Sequence, residues 1–223
     1  MDWNEFGIAV AETAGMTIIS AALAYLVGLP LGILLYNTGK KGLRPNRVVN
    51  LILGTIVNVL RSIPCLILII VLIPLTRGVF GRATGDWYTM IIPLFFASFA
   101  YVARVVETSL NEVDQGVVEA AKSMGASSLQ IILKVLLKEA RPSLLLGVAL
   151  STISILGYTA FAYDFGAGGL IAKAYSVYHS SPMNYLSKPD IWVILLLIVA
   201  VVQVIQELGL FLAKRTDKRR IAK

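Results

Sequence analysis

The chain has 223 residues, of which 57% are hydrophobic and only 15% charged, with a mean hydropathy of +0.77. Soluble domains run at about 45–50% apolar and about 25% charged residues, so this composition argues against a soluble globular fold and for a membrane protein. The net charge of +7 could suit nucleic acid, but the basic residues cluster by loop, as shown below, and are expected to serve topology and lipid contact, with no nucleic-acid partner.

A spanning helix needs roughly 20 apolar residues, because the hydrocarbon core is about 30 Å thick and a helix rises about 1.5 Å per residue. The first such run, 13–39, carries no charge. Its leading segment MDWNEFGIAVAE is acidic where a secretory signal would be basic, and the run is too long for one, so a retained span is expected. TGKKGLRPN then reads as a short turn. Its NTGKKG imitates the end of a phosphate-binding loop, but that motif needs Gly at 34 and Ser or Thr at 41, where the chain has Leu34 and Lys41.

The second run, 48–76, contains one charge, Arg61, and the single cysteine, Cys65. The third, 87–105, opens on Trp87 and Tyr88, aromatic residues that favour the interface. The fourth, 142–163, is rich in Ser, Thr and Gly, and the fifth, 191–213, carries Glu207. The expectation is an all-α integral membrane domain over 1–223 with five transmembrane helices.

Fifteen basic residues end or follow the first, third and fifth runs: Lys40, Lys41, Arg44, Arg47; Arg104, Lys122, Lys134, Lys138, Arg141; and Lys214, Arg215, Lys218, Arg219, Arg220, Lys223. Only Arg77, Arg82, Lys173 and Lys188 lie on the opposite side. The positive-inside rule then places the N-terminus outside and the C-terminus in the cytoplasm, as an odd number of spans requires.

The loop 111–141 is therefore expected in the cytoplasm. Leu110, Val113, Val117, Ala121 and Met124 recur at helical spacing and predict one apolar stripe. Gly125 can end that helix in left-handed backbone. Ser127 to Gln130 fits a capping box that starts another. The new helix, IILKVLLKEAR, should break or kink at Pro142. The product is a helix, a glycine turn and a second helix: a rigid knuckle.

Other candidates fall inside the spans. A charge at mid-membrane costs about 2.5–3.5 kcal/mol on the insertion scale, so Arg61 should face protein or water. With Ser62 and Pro64 it reads either as a polar break beside a translocation path or as an inward structural arginine. Arg104 and Glu107, three apart on one helix face, can pair as a structural clamp. Ser151, Ser154, Tyr158, Phe161 and Tyr163 in the fourth run either pack helices or line a path for a zwitterion. Gly166, Gly168 and Gly169 suit a turn closing over an outer mouth, within the long outside stretch 164–190. His179 stands without a Cys or second His nearby, and no metal or catalytic cluster is expected.

Glu119, Ala120, Ala121 and Gly125, followed by Val135 and Leu137, resemble the EAA motif of ABC importer permeases, with Lys138 where the motif has proline. Small alanines let a helix seat closely in a partner's groove, and a glycine turn lets it leave sharply. With GLPLGILLY (28–36), RSIPCLILI (61–69), ARVVE (103–107) and GYTAFAYDFGAGGL (157–170), most of the chain is similar to the methionine-importer permeases. In the last segment, Phe161 to Asp164 is bulkier and more charged than the family pattern.

The resemblance implies a type I importer permease fold in a bacterial inner membrane. It implies a homodimer, two copies of a partner ATPase that bind ATP and Mg, and an extracytoplasmic substrate-binding lipoprotein. Glu119, Ala120, Ala121, Met124, Gly125 and Ala126 would couple to the ATPase, and this chain would itself be no enzyme and hold no cofactor. The implied substrate is methionine, L or D, or else another small amino acid or methionine-like compound. The alternatives are a secondary carrier, which would need intramembrane acids or an inverted repeat, and a non-transporting scaffold whose knuckle tethers a partner, against which the hydroxyl-rich fourth span argues.

Overall fold

Residues 3–217 are described by a computed structural model, and among them every regular element is helical. Lys218, Arg219, Arg220 and Lys223 of the charge count lie outside the described residues. In hydrocarbon, backbone polar groups have no water to bond, and a helix satisfies them within its own segment. The apolar runs accordingly become α1 (Trp3–Thr38), α5 (Ile91–Asn111), α9 (Arg141–Tyr158) and α11 (Pro189–Thr216). Extended by flanking 3₁₀ turns at Trp87–Met90 and Thr159–Phe165, these are four helical stretches long and apolar enough to cross a membrane. α1 starts ten residues before the charge-free run, with Glu5 in its first turn, where a carboxylate meets the helix dipole favourably.

The expected second span, 48–76, is not one helix. It is broken into α2 (Arg47–Ser62), α3 (Cys65–Val71) and α4 (Ile73–Phe80). Pro64 is the cause: it has no N–H to give the carbonyl of Leu60, and it pushes Ile63 away from helical backbone. It sits at φ −57°, ψ 136°, as the N-cap of α3. A fifth span exists when α2 and α3 are counted together.

The 111–141 loop forms α6 (Gln115–Ser123), α7 (Ser128–Gln130), a π-helical turn over Ile131–Leu136 and α8 (Leu137–Glu139). The break expected at Pro142 falls at Ala140, and Pro142 occupies the first turn of α9, where its missing N–H costs nothing. The stretch 164–190, expected as a loop, contains α10 (Leu170–Ser180) and a 3₁₀ turn, Tyr185–Ser187.

The chain divides into two compact units. One comprises residues through Leu23, Ile63–Ser98 and Thr152–Gln206. Its core gathers Met16, Ile69, Met90, Leu94 and Ile155, with Trp87, Tyr158 and Phe161 packed on it. A second cluster, Phe6, Ala9, Leu170, Val177 and Ile194, joins α1, α10 and α11. The other unit comprises Ala24–Ser62, Phe99–Ser151 and the residues from Glu207. There Leu35, Val57, Ala100 and Ala103 are fully buried. Gly28 and Gly32, a G-x-x-x-G pair, let α1 touch α5. A Cβ on Gly28 would lie 2.7 Å from Val102 Cγ1, and one on Gly32 would lie 2.5 Å from the Ala103 carbonyl oxygen. Small residues at this spacing are how membrane helices gain van der Waals contact.

Candidate functional site

The knuckle is built almost wholly from bonds between near neighbours. The Asp114 carboxylate caps α6, accepting from the Gly116 N–H at 2.6 Å. At the far end Gly125 takes φ +77°. The Gly125 N–H donates to the Lys122 carbonyl at 2.9 Å and the Ala126 N–H to the Ala121 carbonyl at 3.1 Å. This is the Schellman arrangement, which satisfies carbonyls the helix would otherwise leave unbonded. Two residues on, the capping box closes: the Ser127 N–H donates to Gln130 Oε1 at 2.8 Å and the Gln130 N–H to Ser127 Oγ at 3.4 Å. α6 then packs against the π-helical turn.

The predicted stripe is corrected within this segment. Leu110, Val113 and Ala121 are buried, but so is Val118, whereas Val117 is 41% and Met124 81% exposed. The break between α5 and α6 at 112–114 resets the helical phase, so a periodicity counted through it drifts by one residue. The six EAA-segment candidates therefore divide. Glu119, Ala120, Met124 and Gly125 are exposed, Ala126 is half-buried and Ala121 is inside. Val117 and Ala120 of α6 and Met124, its C-cap, make an outward apolar face, and Leu129 adds an exposed apolar side chain in α7.

On α2, Asn50, Gly54, Asn58 and Arg61 recur at spacings of 4, 4 and 3 and mark a polar face. Arg104 of α5 lies against it. Its Nη1 meets Glu107 Oε2 at 2.6 Å, and its Nη2 donates to the Gly54 carbonyl at 3.0 Å and to Asn58 Oδ1 at 2.9 Å. Asn50 ties the same helix to α1, donating to the Leu35 carbonyl at 2.8 Å. The sequence reading found Arg104 and Glu107 but not Gly54, Asn58 or Asn50; the polar spacing along α2 was the available signal.

The path candidates divide between the two units. Arg61 is exposed, its guanidinium 5.8 Å from the centre of the Tyr101 ring. The Ser62 hydroxyl donates back to the Asn58 carbonyl at 2.8 Å. Ser151 is fully buried and engaged, bonding the Tyr25 hydroxyl at 2.8 Å and the Gly147 carbonyl at 2.5 Å. In the other unit Pro64 starts α3, Ser154 is half-buried, and Tyr158 and Phe161 pack on the core. Tyr163 stacks on Tyr175, with ring centres 5.0 Å apart, and on His179 at 5.5 Å. That is where the lone histidine goes: into an aromatic group.

A feature not foreseen joins α1 to α10. Gly166 and Gly169 take φ +67° and +104°. The Gly169 N–H donates to Glu12 Oε2 and the Leu170 N–H to Thr13 Oγ1, each at 2.8 Å. Lys173 pairs with Glu5. Side chains of α1 thus cap α10 from a distance, forming a bracket.

A family model described as a binding-protein-dependent transport system inner membrane component matches residues 28–220. The chain is 39% identical over 217 residues to the probable D-methionine transport system permease protein MetI of Haemophilus influenzae, covering 97% of this chain and 100% of that one. It is 40% identical over 187 residues to the methionine import system permease protein MetP of Bacillus subtilis, covering 83% and 82%. Among solved structures, an inward-facing conformation of the MetNI methionine ABC transporter matches with a TM-score of 0.88 at 34% identity, covering 96% of this chain and 97% of that one.

Proposed function

The chain belongs to the family of binding-protein-dependent transport system inner membrane components, and we propose that it is the permease subunit of an ATP-driven methionine importer. The observation that carries the substrate is the nearly end-to-end similarity to methionine permeases, on a fold like that of a methionine ABC transporter.

The charge asymmetry supports an N-terminus outside and a C-terminus in the cytoplasm, which puts the knuckle on the ATPase side. Two copies of the chain enclose a path on a two-fold axis. The exposed face of α6, with Glu119, Ala120 and Met124, seats in a groove on each partner ATPase. ATP and Mg belong to that partner, and this chain performs no hydrolysis. Closure of the ATPase pair carries the knuckles together as rigid bodies, which shuts the inner side of the path and opens the outer side. A substrate-binding lipoprotein delivers the amino acid at the outer face, where the 164–190 segment lies. Arg104 keeps α2 and α5 moving as one, because breaking its bonds would leave a half-buried charge without its partners.

The test is uptake into proteoliposomes holding the chain with its ATPase and binding protein. ATP-dependent entry of labelled methionine that Gly125→Asp abolishes, with assembly intact, supports the reading. Uptake that ignores the ATPase or survives Gly125→Asp sinks the coupling role. Transport of another amino acid alone keeps the permease and removes methionine.

A further inference from the structure

Two arginines lie in or beside the polar face of α2, and they differ in one respect. Arg104 is met by a carboxylate, a carbonyl and a side-chain amide. Arg61, two turns beyond Gly54 on the same face, has no carboxylate within 4.0 Å and no hydrogen-bond acceptor among the described residues. It meets only the face of Tyr101. It is nevertheless exposed. It lies thirteen positions beyond Val48, about 20 Å along the axis of α2. An unpaired guanidinium at that depth does not face lipid, because lipid offers it no counter-charge and no water. It has to face protein or water.

The helix ends immediately after it. Pro64 has no N–H for the Leu60 carbonyl, so α2 loses that helical bond next to Arg61. Interrupted membrane helices place a donor and an acceptor pole within a few residues, and transporters use such breaks to hold charged substrates near mid-membrane. A zwitterionic amino acid has the complementary pair: a carboxylate for the guanidinium, and an ammonium for the carbonyl end of a helix, which carries partial negative charge. A planar guanidinium holds a carboxylate by two parallel bonds, and the Tyr101 ring, its centre 5.8 Å away, offers the cation a π face.

We propose that Arg61 is the residue of the translocation path that binds the α-carboxylate of the passing amino acid. This rests on the permease reading above and adds to it a named specificity-determining side chain.

The experiment uses the full transporter with its ATPase and binding protein, in a Cys65→Ala background. That background must import methionine with ATP; if it does not, the permease reading fails, whatever Arg61 does. Arg61→Cys is then expected to lower the maximal uptake rate on the order of ten- to a hundred-fold, as for loss of a charge-assisted bond. Half-saturation by the loaded binding protein should stay unchanged. The introduced thiol should react with water-soluble methanethiosulfonates, more slowly when methionine is being transported. An aminoethyl reagent, which restores a cation, should recover uptake, while sulfonatoethyl and methyl reagents should not. A thiol unreactive to every water-soluble reagent, recovery by the methyl reagent, or undiminished uptake each overturns the proposal. Should Arg61→Cys fail to assemble, Arg61→Lys against Arg61→Gln decides: several-fold more uptake with lysine at equal assembly supports it, and equal loss rejects it.

Discussion

The knuckle at 115–139 and the bracket at 166–173 are both turns built on positive-φ glycines, yet they are held in opposite ways. In the knuckle the capping bonds join residues two to five apart: Asp114 to Gly116, Ala126 to Ala121, Ser127 to Gln130. In the bracket the decisive bonds, Glu12 to Gly169 and Thr13 to Leu170, each span 157 residues. A locally closed element keeps its shape when its surroundings move, which is what transmitting a displacement requires. An element fastened across the chain reports on the packing of the helices it joins. Substitutions in the bracket should therefore act on stability first, and substitutions in the knuckle on transport first.

Gly169→Ala should have the largest effect. The backbone there, φ +104° and ψ 171°, is essentially reserved for glycine. A Cβ would also meet Thr13 Oγ1 at 2.9 Å and Met16 Cε at 3.0 Å. Strain of about 1–3 kcal/mol, together with loss of the two long-range bonds, should lower the thermal midpoint in detergent by several degrees. An unchanged midpoint would mean that the bracket does not fasten α10 to α1, and the contrast would collapse.

Glu12→Ala removes one bond of that pair, a charge-assisted one, and should cost about 1.5–3 kcal/mol. Gly168 makes this sharper, since its Cβ would come within 1.9 Å of Glu12 Oε2. Gly168→Ala must therefore expel the Glu12 side chain and release the Gly169 N–H. The two single substitutions should each destabilise, and the double variant should be little worse than either. Strict additivity in this cycle would show that the two residues act independently.

The same contrast explains what the sequence revealed. Gly125 and the Ser127–Gln130 box are signals contained in a few neighbouring residues, and they appear in the fold as read, as do four of the five apolar runs. Val117 was placed in the stripe that Val118 occupies because the count ran through a turn that Asp114 creates. The 48–76 run has the composition of one span, and composition does not register that Pro64 divides it, although the proline was in view. Glu12 and Lys173 carried no local signal, because their partners lie more than 150 residues away. The polar face of α2 was legible in principle, as Asn50, Gly54, Asn58 and Arg61, but only once the helix had been allowed to end at Ser62.

Gly125→Ala tests the other half of the contrast. Nothing lies within 4 Å of the position a Cβ would take, so the cost is only the left-handed backbone at φ +77°, about 1–2 kcal/mol and confined to the knuckle. The thermal midpoint of the assembly should move less than for Gly169→Ala, while methionine uptake falls more. The reverse ranking would assign the knuckle a structural role and remove the reason for its rigidity.

Ser127→Ala should be the mildest. It deletes the acceptor for the Gln130 N–H and leaves the reciprocal bond from the Ser127 N–H to Gln130 Oε1 in place. Removing an N-cap hydroxyl costs about 1 kcal/mol, and the 3.4 Å distance of this bond places it among the weaker caps. The loss should appear as faster amide hydrogen exchange at Gln130 and Ile131, with exchange in α5 and α9 unaltered and uptake reduced by less than for Gly125→Ala. Faster exchange reaching α9 would show that the knuckle is not closed within itself, and that its shape depends on the helices around it.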